Sequence, residues 1–400
     1  MPLPRKLTKF VKFAGMGLGA LVLAFLCLWL SAWDAYGAAA EGERLERMHN
    51  SPQWTGEGFG NRLPRVDGSP MAMLRKSLFA GSSVASPDQP IAAVQTRHGE
   101  EFVAPPDSGL RVTWLGHSTL LVEIDGARVL VDPVFGPRAS PFSWLGPARF
   151  YAPPLPLDEL PAIDAVLISH DHYDHLDYPT VRALADREIT WMVPLGIGAH
   201  LEAWGVPPAR VVELDWWEDH EHAGLRFTCT PARHFSGRSL FMADQDATLW
   251  SGWAVRGPEH AVFYSGDTAL HDEFVDIGAR LGPFDLTMIE SGAYDGLWSD
   301  VHLGPEQAVI AHQLVGGAVM LPVHWGAFDL ALHGWTEPIE RVLVAADEAG
   351  VQVVSPAPGG SVEPSTPGEL VRWWPALPWQ GVEEAPAWST SVEHLQAGMR

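Results

Sequence analysis

"SHDHYDH", residues 169–175, places three histidines and two aspartates in seven consecutive positions of a chain that is only 19% charged. Such a stretch is either a solvated polar loop or the floor of a pocket built for divalent cations. Its flanks place it. "IDAVLIS" (163–169) is an apolar run that reads as a buried strand, and "YPTVRALADR" (178–187) has helical character with Pro179 near its start. The cluster therefore lies on a strand-to-helix loop, where a rigid scaffold can present side chains to a common point.

Other strands deliver similar side chains. "FTCTPA" (227–232) runs on to His234, "AVFYSGD" (261–267) ends at Asp267, "VMLPV" (319–323) leads to His324, and "WSDVHLGPE" (298–306) carries His302 just ahead of a helix. Taken singly, each reads as a capping or core polar residue. Together, imidazoles and carboxylates at strand ends make a fixed metal site, and this donor set suits Zn, with Fe or Mn also compatible. No Ser or Cys nucleophile is required, so Cys229 needs no catalytic role.

The surrounding pattern predicts a layered α/β body. Strands are expected at "LRVTWLG" (110–116), "TLLVEID" (119–125) and "RVLVDP" (128–133), with Asp125-Gly126 as a hairpin turn. Further strands follow at "VVELDWW" (211–217), "LRFTCTPA" (225–232), "TLWSGWAV" (248–255), "DLTMIES" (285–291) and "VQVVSP" (351–356), with helices near 270–281 and from Pro305 and Pro338. Trp216 and Trp217 are expected in the sheet interior, and His220 and His222 of "EDHEHAG" in an exposed turn.

The hydrophobic fraction of 46%, with 18 Trp, predicts a folded chain. A formal charge of -23 repels phosphate backbones and excludes general nucleic-acid binding. Cys27 and Cys229 lie far apart, which suggests no disulfide framework.

At the N-terminus, "FAGMGLGALVLAFLCLWLSAW" (13–33) carries no charge, long enough for a helix to cross a hydrocarbon core about 30 Å thick. Its length favours a membrane anchor over a signal peptide cleaved near Ala38–Ala40. Bulky Phe25 and Leu26 argue against lipid attachment at Cys27. Arg5, Lys6, Lys9 and Lys12 precede the run, and Asp34, Glu41 and Glu43 follow it, so the remainder is expected on the non-cytoplasmic side, periplasmic in a two-membrane bacterium. The expected organisation is an anchor at 1–40, an extended lead-in at 41–105 that wraps the domain and tethers it, a catalytic domain at 106–362, and a Pro- and Trp-rich tail at 363–400.

The run His170-Asp171-His172-Tyr173-Asp174-His175, followed by His234, Asp267 and His324, resembles the H-x-H-x-D-H signature and later ligands of the metallo-β-lactamase-fold hydrolases. Within them, "TWLGHSTLLVEIDGARVLVDPVF", "TPARHFSGRS" and "LPVHWGAFDLALHGWTEPIER" look most like the N-acylphosphatidylethanolamine-hydrolysing phospholipase D group and its membrane-anchored bacterial relatives. The resemblance implies an αββα sandwich with a binuclear centre at one edge. It puts His170, His172 and His234 on one Zn2+ and Asp174, His175 and His324 on the other, with Asp267 bridging and a metal-bridging hydroxide as nucleophile. Asp174 and Asp267 are then catalytic. His302 falls at the substrate end, where it steadies a phosphate or protonates the leaving alcohol, or else serves the start of its helix. His333 reads as a pocket wall, and His117 and Asp132 as supports of the ligand loop. The implied activity is cleavage of a phospholipid phosphodiester. Hydrolysis of a lactone or other ester is the alternative on the same metals, because fold and ligands do not fix the scissile bond. A retired hydrolase serving as a membrane-bound binding module is the third reading, disfavoured because all seven ligand positions are filled.

Overall fold

Side-chain alternation in the early strands sets up the layers. In β1 (Leu110–Gly116), β2 (Thr119–Ile124) and β3 (Ala127–Val131), the residues Val112, Trp114, Leu120, Val122, Val129 and Val131 share one core, while Leu115, Leu121 and Leu130 belong to another. A strand with both faces apolar must be covered on both sides. The computed structural model, which describes residues 16–397 other than 18, 21, 22, 24, 25, 67 and 80, shows how.

β4 (Ala165–Leu167), β5 (Thr190–Pro194) and β6 (Val211–Leu214) extend the first sheet. β7 (Asp219–His222), β8 (Leu225–Thr230), β9 (Gly252–Arg256), β10 (Ala261–Tyr264), β11 (Phe284–Glu290), β12 (Gly317–Val323) and β13 (Gln352–Val353) form the second, and β14 (Ser361–Val362) returns to the first. Each sheet has seven strands, in the orders β14-β1-β2-β3-β4-β5-β6 and β13-β12-β11-β10-β9-β8-β7. The largest core lies between them, joining Val112, Trp114 and Val122 to Phe227, Tyr264, Met288 and Leu321.

Helices cover the outer faces. α1 (Gly42–His49) and α2 (Pro70–Phe79) belong to the lead-in, α3 (Tyr178–Leu184) and α4 (Gly198–Ala203) to the first sheet's outer core, and α5 (Glu273–Leu281), α6 (Pro305–Val315) and α7 (Glu337–Ala349) to the second's. The αββα layering expected of the body is present.

The lead-in is no loose tether. Arg44 pairs with Glu202 and Glu213, Phe59 is buried in the inter-sheet core, and α2 is tied to the body by Lys76 and Asp295. Packing begins before residue 40: Ala32 and Ala35 are buried, Trp204 Nε1 donates to Asp34 O (2.6 Å), and Arg238 donates to Ala35 O (3.0 Å). The tail packs too, with Trp373 and Trp374 against the inter-sheet core and Val392 buried with the outer helices. No helix among the described residues is long and apolar enough to cross a membrane, and the span expected over 13–33 includes residues outside the described set.

Two smaller expectations are corrected. His220 and His222 lie in strand β7 at the sheet edge, and the turn is Ala223–Gly224 beyond them; the alternation of exposed and half-buried residues there is that of an edge strand. Trp216 is buried between the sheets, but Trp217 is only partly buried, at φ 73°, with Arg280 over its ring.

Removing residues 1–40 should therefore destabilise the domain by roughly 3 kcal/mol, since it strips the acceptors from two buried donors, whereas removing residues 1–30 should leave stability unchanged. Urea denaturation of the two truncated proteins measures the difference, and equal midpoints would refute this packing.

Candidate metal centre

The histidine stretch folds as it does because its polar groups are saturated by backbone. Asp177 caps α3 by accepting from Thr180 N and also takes Gly136 N (3.0 Å), so the loop must end two residues after His175. Asp171 turns away from the site, accepting from Gly237 N (2.8 Å) and Thr248 Oγ1 (2.9 Å). The buried Arg238 guanidinium donates to the carbonyls of Asp171 and Leu176, gripping the loop from behind.

Inside the loop the side chains converge. His172 Nδ1 lies 2.9 Å from His170 Nε2 and 3.3 Å from His234 Nε2. Asp267 Oδ2 faces this trio, 3.8 Å from each of His170 Nε2 and His234 Nε2. The same oxygen is 3.2 Å from His175 Nε2 and 3.0 Å from His324 Nε2, and Asp174 Oδ2 is 3.4 Å and 3.2 Å from those nitrogens. Two donor sets thus share one carboxylate oxygen. Asp267 reaches this point through Gly266, whose φ of 58° and closeness to Ser251 O leave no room for a Cβ.

The second ring of contacts fixes which nitrogen faces inward. His175 Nδ1 sits 2.7 Å from Asp132 Oδ2, and His234 Nδ1 2.7 Å from Val301 O, so each donates outward and turns Nε2 to the centre. Asp132 also accepts from Ser169 N and Tyr264 Oη, and His117 Nε2 lies 3.0 Å from Asp174 Oδ2. His117, Asp132 and His324 all hold positive φ, at 53°, 36° and 66°. Backbone strain at three non-glycine positions around one cluster is characteristic of a functional site.

The two donor sets differ in their electrostatics. Burial and neighbouring imidazoles hold His170 and His234 well below the ordinary imidazole range, leaving neutral rings with available lone pairs. Burial opposes charge on His324 as well, yet Asp267 and Asp174 push it up to about 10, and the same carboxylates raise His175. His175 Nε2 and Asp267 Oδ1 are buried without a hydrogen bond. Polar atoms so placed at the middle of a cluster are directed at a shared ligand, and imidazole with carboxylate is the donor chemistry of Zn or of Fe and Mn.

His302 stands beside the cluster, its Nδ1 3.9 Å from Asp267 Oδ2 and 2.8 Å from Glu290 Oε2. Glu290 is a site residue that the sequence reading missed. It is fully buried at the end of β11, and its Oε1 accepts from Thr268 N (2.5 Å) and Leu303 N (3.1 Å), so one carboxylate braces both Asp267's loop and His302. Its place at the end of the strand in "DLTMIES" is the one signal the sequence carries, since its partners lie in two other segments. Asn61 was also missed: its side-chain amide bonds both N (3.0 Å) and O (2.7 Å) of His234. His333 lines a small cavity together with His117 and His324, stacked on Tyr294 at 4.3 Å. Cys229 is buried and its thiol is pushed up by burial, and both cysteines are free.

The profile of the β-lactamase superfamily domain matches residues 127–325, which carry the histidine stretch, His234, Asp267 and His324. The chain belongs to the metallo-β-lactamase superfamily. It is a metal-dependent hydrolase of that superfamily, 30% identical over 259 residues to a metal-dependent hydrolase of Methanopyrus kandleri, covering 64% of this chain and 100% of that one. An uncharacterised protein of Mycobacterium tuberculosis is 46% identical over 350 residues, 85% of this chain and 91% of the relative. The N-acyl-phosphatidylethanolamine-hydrolysing phospholipase D 1 of Caenorhabditis elegans is 41% identical over 236 residues, 56% of this chain and 66% of the relative. Among solved structures, an isothiocyanate hydrolase from Delia radicum gut bacteria superposes with a TM-score of 0.50 at 19% identity over 63% of this chain and 98% of that chain, a likeness of fold.

Proposed function

We propose that this hydrolase holds two Zn2+ ions and cleaves a phosphodiester of a membrane phospholipid. The observation that carries the reading is the pair of donor sets meeting at Asp267 Oδ2, with the His302–Glu290 pair facing the same point. His170, His172 and His234 would hold one cation, Asp174, His175 and His324 the other, and Asp267 both. Such a pair supplies a water made nucleophilic near neutral pH and a Lewis acid for substrate oxygen. The chain's own contribution is orientation and proton handling. Asp132, Val301 O and His117 fix the ligands, while His302, steadied through Nδ1 by Glu290, keeps Nε2 for a phosphate oxygen or the leaving alkoxide. The similarity to a phospholipase D that acts on N-acylphosphatidylethanolamine supports the phospholipid class over a lactone. The uncharged run at 13–33 supports anchoring, with the domain on the non-cytoplasmic side.

The test is a panel assay on the zinc-loaded full chain, with phospholipid vesicles, lactones and thioesters side by side. Release of phosphatidic acid is expected. Ring opening with inert phosphodiesters would replace this reading with the lactonase one.

A further inference from the structure

Residues 133–157 contain no Asp or Glu, although the chain carries 49, and they include Arg138 and Arg149. Within them the chain doubles back. Arg138 bridges Ala148, Ala139 N donates to Pro147 O (3.0 Å), Arg149 N to Pro137 O (3.0 Å), and Arg138 Nη1 to Gly146 O, so the segment 137–149 is a braced hairpin. Phe142 is buried beneath its tip, while Trp144 and Leu145 at the tip are 62% and 47% exposed. A large indole and a leucine held out on a rigid hairpin are unfavourable in water unless something covers them.

The hairpin stands at the rim of the metal cleft. Its base meets the two ligand loops: Gly136 N donates to Asp177, two residues after His175, and the Arg149 guanidinium lies 5.0 Å from the ring of Phe328, which is 5.3 Å from that of His117. The N-terminal segment reaches the start of the same helix, α3, through Trp204. Trp204, which donates to Asp34 O, packs on Tyr178 (5.4 Å), the residue after Asp177, and Trp33 is 54% exposed just before it. An uncharged run of membrane-spanning length therefore precedes a segment, residues 32–38, that is packed on the domain on the side of α3, the helix whose start also holds the hairpin's base.

We propose that hairpin 137–149 is a membrane-docking wedge, with Trp144 and Leu145 entering the interfacial layer of the bilayer that holds the N-terminal run, so that the metal cleft opens onto the lipid headgroups. This rests on the anchor and phospholipid reading above. The occupant is a bilayer because the chain carries an uncharged run of membrane-spanning length, and because the hairpin presents an exposed indole and leucine beside the partly exposed Arg138 and no carboxylate to lipid phosphates.

The full chain, with Cys27→Ser as background, is reconstituted into phosphatidylcholine vesicles containing nitroxide-labelled lipid. A fluorophore is attached at Ser143→Cys or, as control, at the exposed Glu259→Cys, in the turn before β10, the strand whose far end leads to Asp267. Quenching at 143 should exceed that at 259 by at least roughly threefold. The Trp144→Ser/Leu145→Ser variant should keep full turnover of a soluble phosphodiester, bis(p-nitrophenyl) phosphate, which also reports its folding, and lose roughly tenfold on vesicles. Equal quenching at the two sites overturns the proposal, as does an emission shift at 143 that follows protein concentration in detergent alone, which would assign the tip to a second copy. Selective quenching in an enzyme that leaves phospholipid intact upholds docking and rejects the phospholipase reading.

Discussion

Asp267→Ala is expected to lower bound zinc below one equivalent per chain and to cut turnover by at least roughly 10³-fold. The reason is the position of one atom. Oδ2 of Asp267 lies within 3.0–3.8 Å of a nitrogen from four histidines, two in each donor set, so its loss removes the anionic ligand common to both. His234→Ala is the contrast. Besides the shared Asp267, the ligand candidates that ring lies against are His170 and His172 of its own set, so the second set should still hold about one equivalent. Elemental analysis of the two purified variants separates these outcomes. A folded Asp267→Ala protein with full metal and full activity would remove the shared-carboxylate assignment.

The second large effect is expected from Glu290→Gln, a carboxylate within 4.8 Å of the ligand atoms of Asp267 and His324 whose own hydrogen bonds go to His302, Thr268 N and Leu303 N. The amide keeps an acceptor for Thr268 N and Leu303 N but replaces the oxygen that faces His302 Nδ1 with a donor. Zinc content should stay full, because the amide has the same size, keeps the acceptor that holds Asp267's loop and leaves all seven ligand side chains in place. Turnover should fall by about 10²-fold on substrates that expel an alkoxide, which needs a proton, and far less on p-nitrophenyl esters, whose leaving group does not. His302→Ala should reproduce that pattern with metal retained. Loss of zinc from His302→Ala would make it a ligand, and an equal loss on both substrate classes would make Glu290 a structural brace only.

What could be read from the sequence follows physical locality. The layers were readable because strands with two apolar faces and helices with one leave few ways to stack, and the ligands were readable because each sits at a strand end or in one dense loop. Glu290 ends a strand too, but its partners Thr268, His302 and Leu303 come from two other segments, so its purpose exists only once the sheet has formed. Asn61 lies even further out, in an aperiodic lead-in, and reaches His234 through a pair of amide bonds that no spacing rule encodes. The same holds for Asp171 and Arg238, buried residues whose bracing bonds join segments far apart in the chain. His220 and His222 went astray for the opposite reason: five polar residues in a row read as a turn, although an edge strand with little apolar cover carries the same composition.

The proposed chemistry requires two cations acting together. The direct measurement is a titration of the chelator-stripped full chain with Zn2+, following bound metal and phosphodiesterase activity in the same samples. Activity should rise to its maximum only as occupancy approaches two equivalents per chain. Full activity at one equivalent, or at none, would contradict it.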